Sequence, residues 1–129
     1  MSIKFLSPEY MTEATRLMNA DEGFRAAVGD LELAMQLVVT DPPDEDDFSY
    51  HIRISQGGGE MSRGSLDDPD ATLRHTYKTA VGISNGEINN AAAFMTGKLK
   101  VSGNVAKLMR AQGPLQKLQA SIDALDVEY

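Results

Sequence analysis

Two stretches of strict alternation limit what this chain can fold into. From Asp30 to Thr40, the residues Leu31, Leu33, Met35, Leu37 and Val39 alternate with Glu32, Ala34, Gln36, Val38 and Thr40. From Phe48 to Ser55, the residues Phe48, Tyr50, Ile52 and Ile54 alternate with Ser49, His51, Arg53 and Ser55. Successive side chains of a β-strand point to opposite faces, so each stretch predicts a strand with one apolar face. Between them, Asp41-Pro42-Pro43-Asp44-Glu45-Asp46-Asp47 must be a loop, because prolines cannot continue a ladder and the acids repel.

The remaining elements follow from period and punctuation. Short strands are predicted over Glu60–Ser65, with Met61 and Arg63 on one side, and over Ala71–Tyr77, with Ala71, Leu73, His75 and Tyr77 on one face. The turns between strands fall at Gln56-Gly57-Gly58-Gly59 and Leu66-Asp67-Asp68-Pro69-Asp70. A fifth strand lies between Gly97 and Gly103, where Leu99 and Val101 alternate with Lys98, Lys100 and Ser102. Helices flank this set. Ser7-Pro8-Glu9 reads as an N-cap, a proline in the first turn and an acid, ahead of Met11, Ala14, Leu17 and Met18 on one face. A shorter helical turn carries Phe24, Ala27 and Val28 and closes at Gly29. Lys78–Ser84 and Glu87–Met95 are short helices, the second with Ile88, Ala91, Ala92 and Met95 on one face. Asn104–Gln112 brings Val105, Leu108 and Met109 together, Gly113-Pro114 breaks it, and a last helix aligns Leu115, Leu118, Ile122 and Leu125. Strands joined by hairpin loops predict an antiparallel meander, with the helices packed on its one apolar face. The expected fold is two-layer α+β with a five-stranded, mainly antiparallel sheet. No repeat or linker divides the chain, so residues 1–129 read as one domain.

Charge and composition narrow the function. The net charge of −7 argues against a nucleic-acid partner. It is unevenly spread: residues 1–70 hold 15 acids against 5 Lys/Arg, and residues 71–129 hold 4 against 7, so an anionic partner would meet the C-terminal part. There is no cysteine, which removes disulfides, thiolate chemistry and cysteine-ligated zinc. The acids of 41–47 lack the spacing of a calcium loop and read as a solvated turn. Two distant histidines give no metal-ligand spacing, no serine sits in a nucleophile elbow, and no metal or cofactor is expected. His51 should face the polar side of its strand, and His75 the apolar side. No apolar run reaches a membrane span. The opening residues, interrupted by Pro8, do not read as a secretory signal, and Val127-Glu128-Tyr129 is no peroxisomal tripeptide; a cytoplasmic location is expected. Seven methionines, with Met11, Met18, Met35, Met61, Met95 and Met109 on predicted apolar faces or strands, suit a deformable apolar space or an ordinary core. The helices bearing Lys107, Arg110 and Lys117 either cover the sheet or lie transiently on an anionic membrane surface.

Residues 70–73, Asp-Ala-Thr-Leu, enter a strand. Short helices then lead into Ala92-Ala93-Phe94-Met95-Thr96-Gly97-Lys98-Leu99-Lys100-Val101-Ser102-Gly103-Asn104, followed by Ala106-Lys107-Leu108. This run resembles that of the sterol carrier protein type 2 lipid-binding domains, and the order of predicted elements fits across nearly the whole chain. The resemblance implies a non-enzymatic domain whose sheet and helices enclose an apolar tunnel for a fatty acid, fatty acyl-CoA, sterol or phospholipid. By that resemblance Phe94, Met95, Leu99, Val101, Val105, Leu108 and Met109 would line the tunnel, with Leu115, Leu118 and Ile122 on a movable lid. Lys98 and Lys100 would face away from it. A monomer or weak homodimer is expected. Two other readings stand beside this one. The chain could be an interaction or dimerisation module, or an accessory domain of a lipid-metabolising enzyme. Alternatively it could be an enzyme using His75 or Asp70 as general base on a hydrophobic substrate.

Overall fold

The computed structural model describes residues 2–129. In chain order the elements are β1 (Ile3–Lys4), α1 (Pro8–Ala20), α2 (Glu22–Val28), β2 (Leu33–Thr40), β3 (Phe48–Ser55), β4 (Gly58–Arg63), β5 (Ala71–Thr76), α3 (Tyr77–Ser84), α4 (Asn90–Met95), β6 (Lys100–Gly103), α5 (Val105–Arg110), α6 (Gln112–Ile122) and β7 (Val127–Glu128). The fold is α+β, with a five-stranded sheet ordered β4-β3-β2-β5-β6. The expected alternation is expressed over most of both stretches: Leu33, Met35, Leu37 and Val39 are buried on β2, and Tyr50, Ile52 and Ile54 on β3, while β2 starts only at Leu33, and Leu31 before it and Phe48 are half-buried. Opposite them pack Met11, Ala14 and Met18 of α1 and Phe24 and Val28 of α2.

The sheet is not a meander. β2, β3 and β4 pair antiparallel in sequence, but β5 does not join β4. It crosses to the far side of β2 and pairs with it parallel, Met35 opposite Ala71, and β6 then adds antiparallel to β5. The connection over residues 64–70 is therefore a strap across the outer face of the sheet. Polar side chains of that face hold it. His51 Nδ1 lies 3.0 Å from the Gly64 carbonyl, and the Leu66 N–H donates to Gln36 Oε1 at 2.8 Å. Gln36 and His51 stand opposite one another on β2 and β3.

Several boundaries shift for local reasons. β4 begins at Gly58, because the tight turn uses only Gln56 and Gly57, both with positive φ. Tyr77 leaves the strand and opens α3, since the Thr76 side chain accepts the Thr79 N–H as an N-cap. α4 buries Ala93 alone, whereas Ala91, Ala92 and Met95 of the expected face are exposed. The helix break comes at Ala111, ahead of the expected Gly113-Pro114, and Pro114 sits in the first turn of α6. A parallel pair, Ile3 with Val127 and Lys4 with Glu128, was not foreseen. Two residues per strand leave no periodicity to read.

The two edges of the sheet are treated differently. On β4, α1 lies alongside the free backbone and supplies substitute partners. Asn19 Nδ2 donates to the Gly59 carbonyl at 2.7 Å, its Oδ1 accepts the Gly59 N–H at 3.0 Å, and Thr15 Oγ1 accepts the Met61 N–H at 2.9 Å. Gly59 permits this approach, because a Cβ there would meet Met18 Sδ at 2.7 Å and Phe24 Cζ at 3.0 Å. At the other edge, β6 is four residues long and carries the exposed Lys100, a short charged edge of the kind that discourages further pairing.

A candidate lipid cavity between sheet and helices

The site begins with Asp70. Its backbone N–H donates to the Ala34 carbonyl at 2.7 Å, and its Oδ2 accepts the Ala34 N–H at 2.8 Å, which pins β5 to β2. Its carbonyl accepts the Asn104 N–H at 2.7 Å, and Lys107 Nζ lies 3.0 Å from Oδ2. One residue thus fixes β2, β5 and the start of α5. The Ala34 N–H, outweighing some desolvation, and then the Lys107 ammonium hold the Asp70 carboxyl below its ordinary range. Gly103 makes the junction passable. Its φ is +94°, and a Cβ would meet the Asp70 carbonyl oxygen at 2.6 Å. Asn104 then caps α5 by accepting the Lys107 N–H at 3.0 Å.

Beyond this junction the two layers part. Between them lies a cavity of about 830 Å³. The sheet contributes Met35, Leu37, Tyr50, Ile52, Leu73, His75 and Val101; the N-terminal segment and α1 contribute Phe5, Leu6 and Tyr10; α3 contributes Ala80, Ile83 and Ser84. Phe5 anchors one end through edge-on contacts with Tyr10 and Tyr77, at centroid distances of 5.4 and 5.8 Å. Burial pushes the Tyr10 and Tyr50 hydroxyls well above the ordinary tyrosine value, so both stay protonated. Burial lowers His75, partly offset by its bond to the Thr76 carbonyl, so its imidazole stays neutral.

The residues singled out from the sequence fall as follows. Leu99 and Val101 beside the sheet, Phe94 of α4, Val105, Leu108 and Met109 of α5, and Leu115, Leu118 and Ile122 of α6 all border the cavity. Met95 does not; it points to solvent at 85% exposure, because α4 turns Ala93 inward instead. Phe94, Val105 and Met109 border the space yet remain 57%, 49% and 56% exposed, which places them at its mouth. Sequence reasoning missed the contribution of Phe5, Tyr10, Tyr50 and Ile83. Their spacing marks them as apolar, but only the parting of the layers separates lining from core. Leu118 and Ile122 are buried in the core, and Ser121 Oγ donates to Asp21 Oδ2 at 2.7 Å, tying α6 to the N-cap of α2. α5 buries no residue and is the less anchored wall.

Other candidate chemistry is dispersed. Among the described residues, no three His, Asp or Glu stand together as metal ligands. The acidic loop is tied down by Arg63, whose Nη1 lies 2.9 Å from Glu45 while its Nε donates to the Leu6 carbonyl. His51 is held by the strap, away from the cavity. No helix of the described residues is long and apolar enough to cross a membrane.

The helix-covered sheet thus parts into an apolar cavity with room for a small molecule. Comparison with known proteins gives its kin: the sequence profile of the SCP-2 sterol transfer family matches residues 14–116, and the chain belongs to that family. Sterol carrier protein 2 of Gallus gallus is 27% identical over 74 residues, 57% of this chain and 14% of that protein. Hydroxysteroid dehydrogenase-like protein 2 of Homo sapiens is 27% identical over 79 residues, 60% of this chain and 19% of that protein. The chain thus spans less than a fifth of the length of these relatives. A crystal structure of sterol carrier protein 2 superposes with a TM-score of 0.77 at 19% identity, covering 95% of this chain and 99% of the other, which shows a shared fold.

Proposed function

We propose that this chain binds a lipid (fatty acid, fatty acyl-CoA, sterol or phospholipid) in the chamber between sheet and helices, and carries it without altering it. The observation that supports this most directly is the cavity of about 830 Å³, walled mainly by aliphatic and aromatic side chains within a folded domain. Small-molecule pockets span roughly 300–1,000 Å³. Each Å² of apolar ligand surface withdrawn from water contributes roughly 25 cal/mol, so a long hydrocarbon needs few polar contacts. The family description and the names of the relatives support the same ligand chemistry. Leu99, Val101, Leu108, Leu115, Leu118 and Ile122 would touch the hydrocarbon, with Phe94, Val105 and Met109 at the way in.

Access runs past α4 and α5 in this reading. Phe94, Met95, Val105 and Met109 are exposed apolar side chains on that side, and Lys98, Lys100 and Arg110 are exposed in the same stretch. Such a mixture suits transient contact with an anionic bilayer, from which a lipid could pass directly into the mouth. Native mass spectrometry of the purified chain, followed by organic extraction, tests the proposal. A lipid-sized adduct that extraction removes is the expected result. A chain that stays unliganded when challenged with fatty acid, acyl-CoA, phospholipid and sterol would overturn it.

A further inference from the structure

The cavity wall contains a side chain with an unused hydrogen-bonding atom. His75 stands two residues beyond Leu73 on β5, borders the cavity and is only 7% exposed. Its Nδ1 lies 3.1 Å from the Thr76 carbonyl oxygen. A carbonyl only accepts, so Nδ1 carries the hydrogen, and in the neutral ring Nε2 is then a bare lone pair. Nε2 makes no hydrogen bond among the described residues, and since no fully buried side-chain nitrogen or oxygen there lacks a partner, it keeps some accessible surface. Such an acceptor is open to a donor that enters with a guest.

The rest of the lining decides what donor fits. Among the described residues no Lys or Arg borders the cavity, and its one carboxylate, Asp123, is exposed at the rim. Tyr10 and Tyr50 also border the space and remain uncharged. A carboxylate or phosphate brought to His75 would be desolvated with no cation to pair with, and would set lone pair against lone pair. A hydroxyl brings a hydrogen, carries no charge and can end an otherwise apolar skeleton.

We propose that His75 Nε2 is the polar anchor of the chamber, accepting a hydrogen bond from the hydroxyl of a neutral amphiphilic lipid, so that the chain selects lipid alcohols over their ionised acids. The proposal rests on the lipid-binding reading above and deepens it. Burial keeps the imidazole in its neutral, accepting form. An ionised acid is confined to binding with its head at the mouth, in water, and forgoes the anchor.

The test displaces a neutral fluorescent apolar probe with dodecanol, its methyl ether and dodecanoate. The ether matches the alcohol but has no hydrogen to donate. Dodecanol should bind the unaltered chain about 3- to 10-fold more tightly than the ether, the size of one net hydrogen bond, and more tightly than the acid. In His75→Met, which keeps an apolar side chain of similar reach, alcohol and ether should converge; this double comparison separates the hydrogen bond from packing. Equal binding of alcohol and ether by the unaltered chain, or a difference that survives in His75→Met, overturns the anchor alone. Failure of all three ligands to displace the probe overturns the lipid-binding reading and the anchor with it. The alcohol–ether comparison is made on the unaltered chain, so it decides even if the variant does not fold.

Discussion

The β4 edge and the β6 edge of the same sheet are built to opposite ends. At β4, α1 seals the backbone with Thr15 and Asn19, and Phe24, Met18 and Ile54 are fully enclosed. At β6, the strand is short, α5 buries nothing, and Phe94, Val105 and Met109 stand exposed around a hollow. The helix cover is closed over the β4 end and opens towards β6, while Met35, Leu37, Tyr50, Ile52 and Met61 of β2, β3 and β4 belong to the core and also border the cavity. Stability and binding therefore differ in emphasis from one end of the sheet to the other and share its middle.

That difference can be broken experimentally. The largest effect should come from Phe24→Ala, which empties the sealed half and should cost about 3–5 kcal/mol in urea unfolding. A bound lipid at 100 times its Kd should restore about 2.7 kcal/mol from the hollow half, read as a raised unfolding midpoint; no rise with a ligand shown to bind would deny the linkage. Gly103→Ala should cost about 1–3 kcal/mol, because the new methyl group meets the Asp70 carbonyl at a φ of +94°. Leu115→Ala, on the hollow side, should cost only about 1 kcal/mol, since part of its surface already borders open space. A loss there as large as that of Phe24→Ala would erase the contrast. The smallest effect should be acidic. Unfolded, His75 titrates near 6.5, and in the folded chain burial holds it lower. Below pH 6.5 the unfolded state therefore binds a proton that the folded state refuses, and stability falls as pH drops towards the depressed value. The His75→Met variant should lose that part of the slope in urea titrations between neutral pH and about pH 5.

The sealed half was the easier to read in advance. Strict alternation at Leu33–Val39 and Tyr50–Ile54 states which face is buried, and Ser7-Pro8 states where α1 starts. The run at 94–108 was legible as a resemblance, and its physical reasons emerge at Asp70, Gly103 and Lys107, which meet across residues distant in sequence. The parallel placement of β5 was not legible. Leu66-Asp67-Asp68-Pro69 reads equally as a hairpin turn or as a strap, and only the side chains of Gln36 and His51, on other strands, decide between them. Nor was the inward face of α4, where three consecutive alanines offer no periodicity to separate Ala93 from its neighbours.

The strap has a further consequence, in the order of assembly. β2, β3 and β4 meet their partners through local connections, whereas β5 must close a long loop before Ala71 reaches Met35. Closing that loop costs entropy before any pairing can form, so the three hairpin-linked strands should form first, and β5, β6 and α5 should be added last. The chamber is then complete only when this last step is, because β5, β6 and α5 supply Leu73, His75, Val101, Val105, Leu108 and Met109 to its wall.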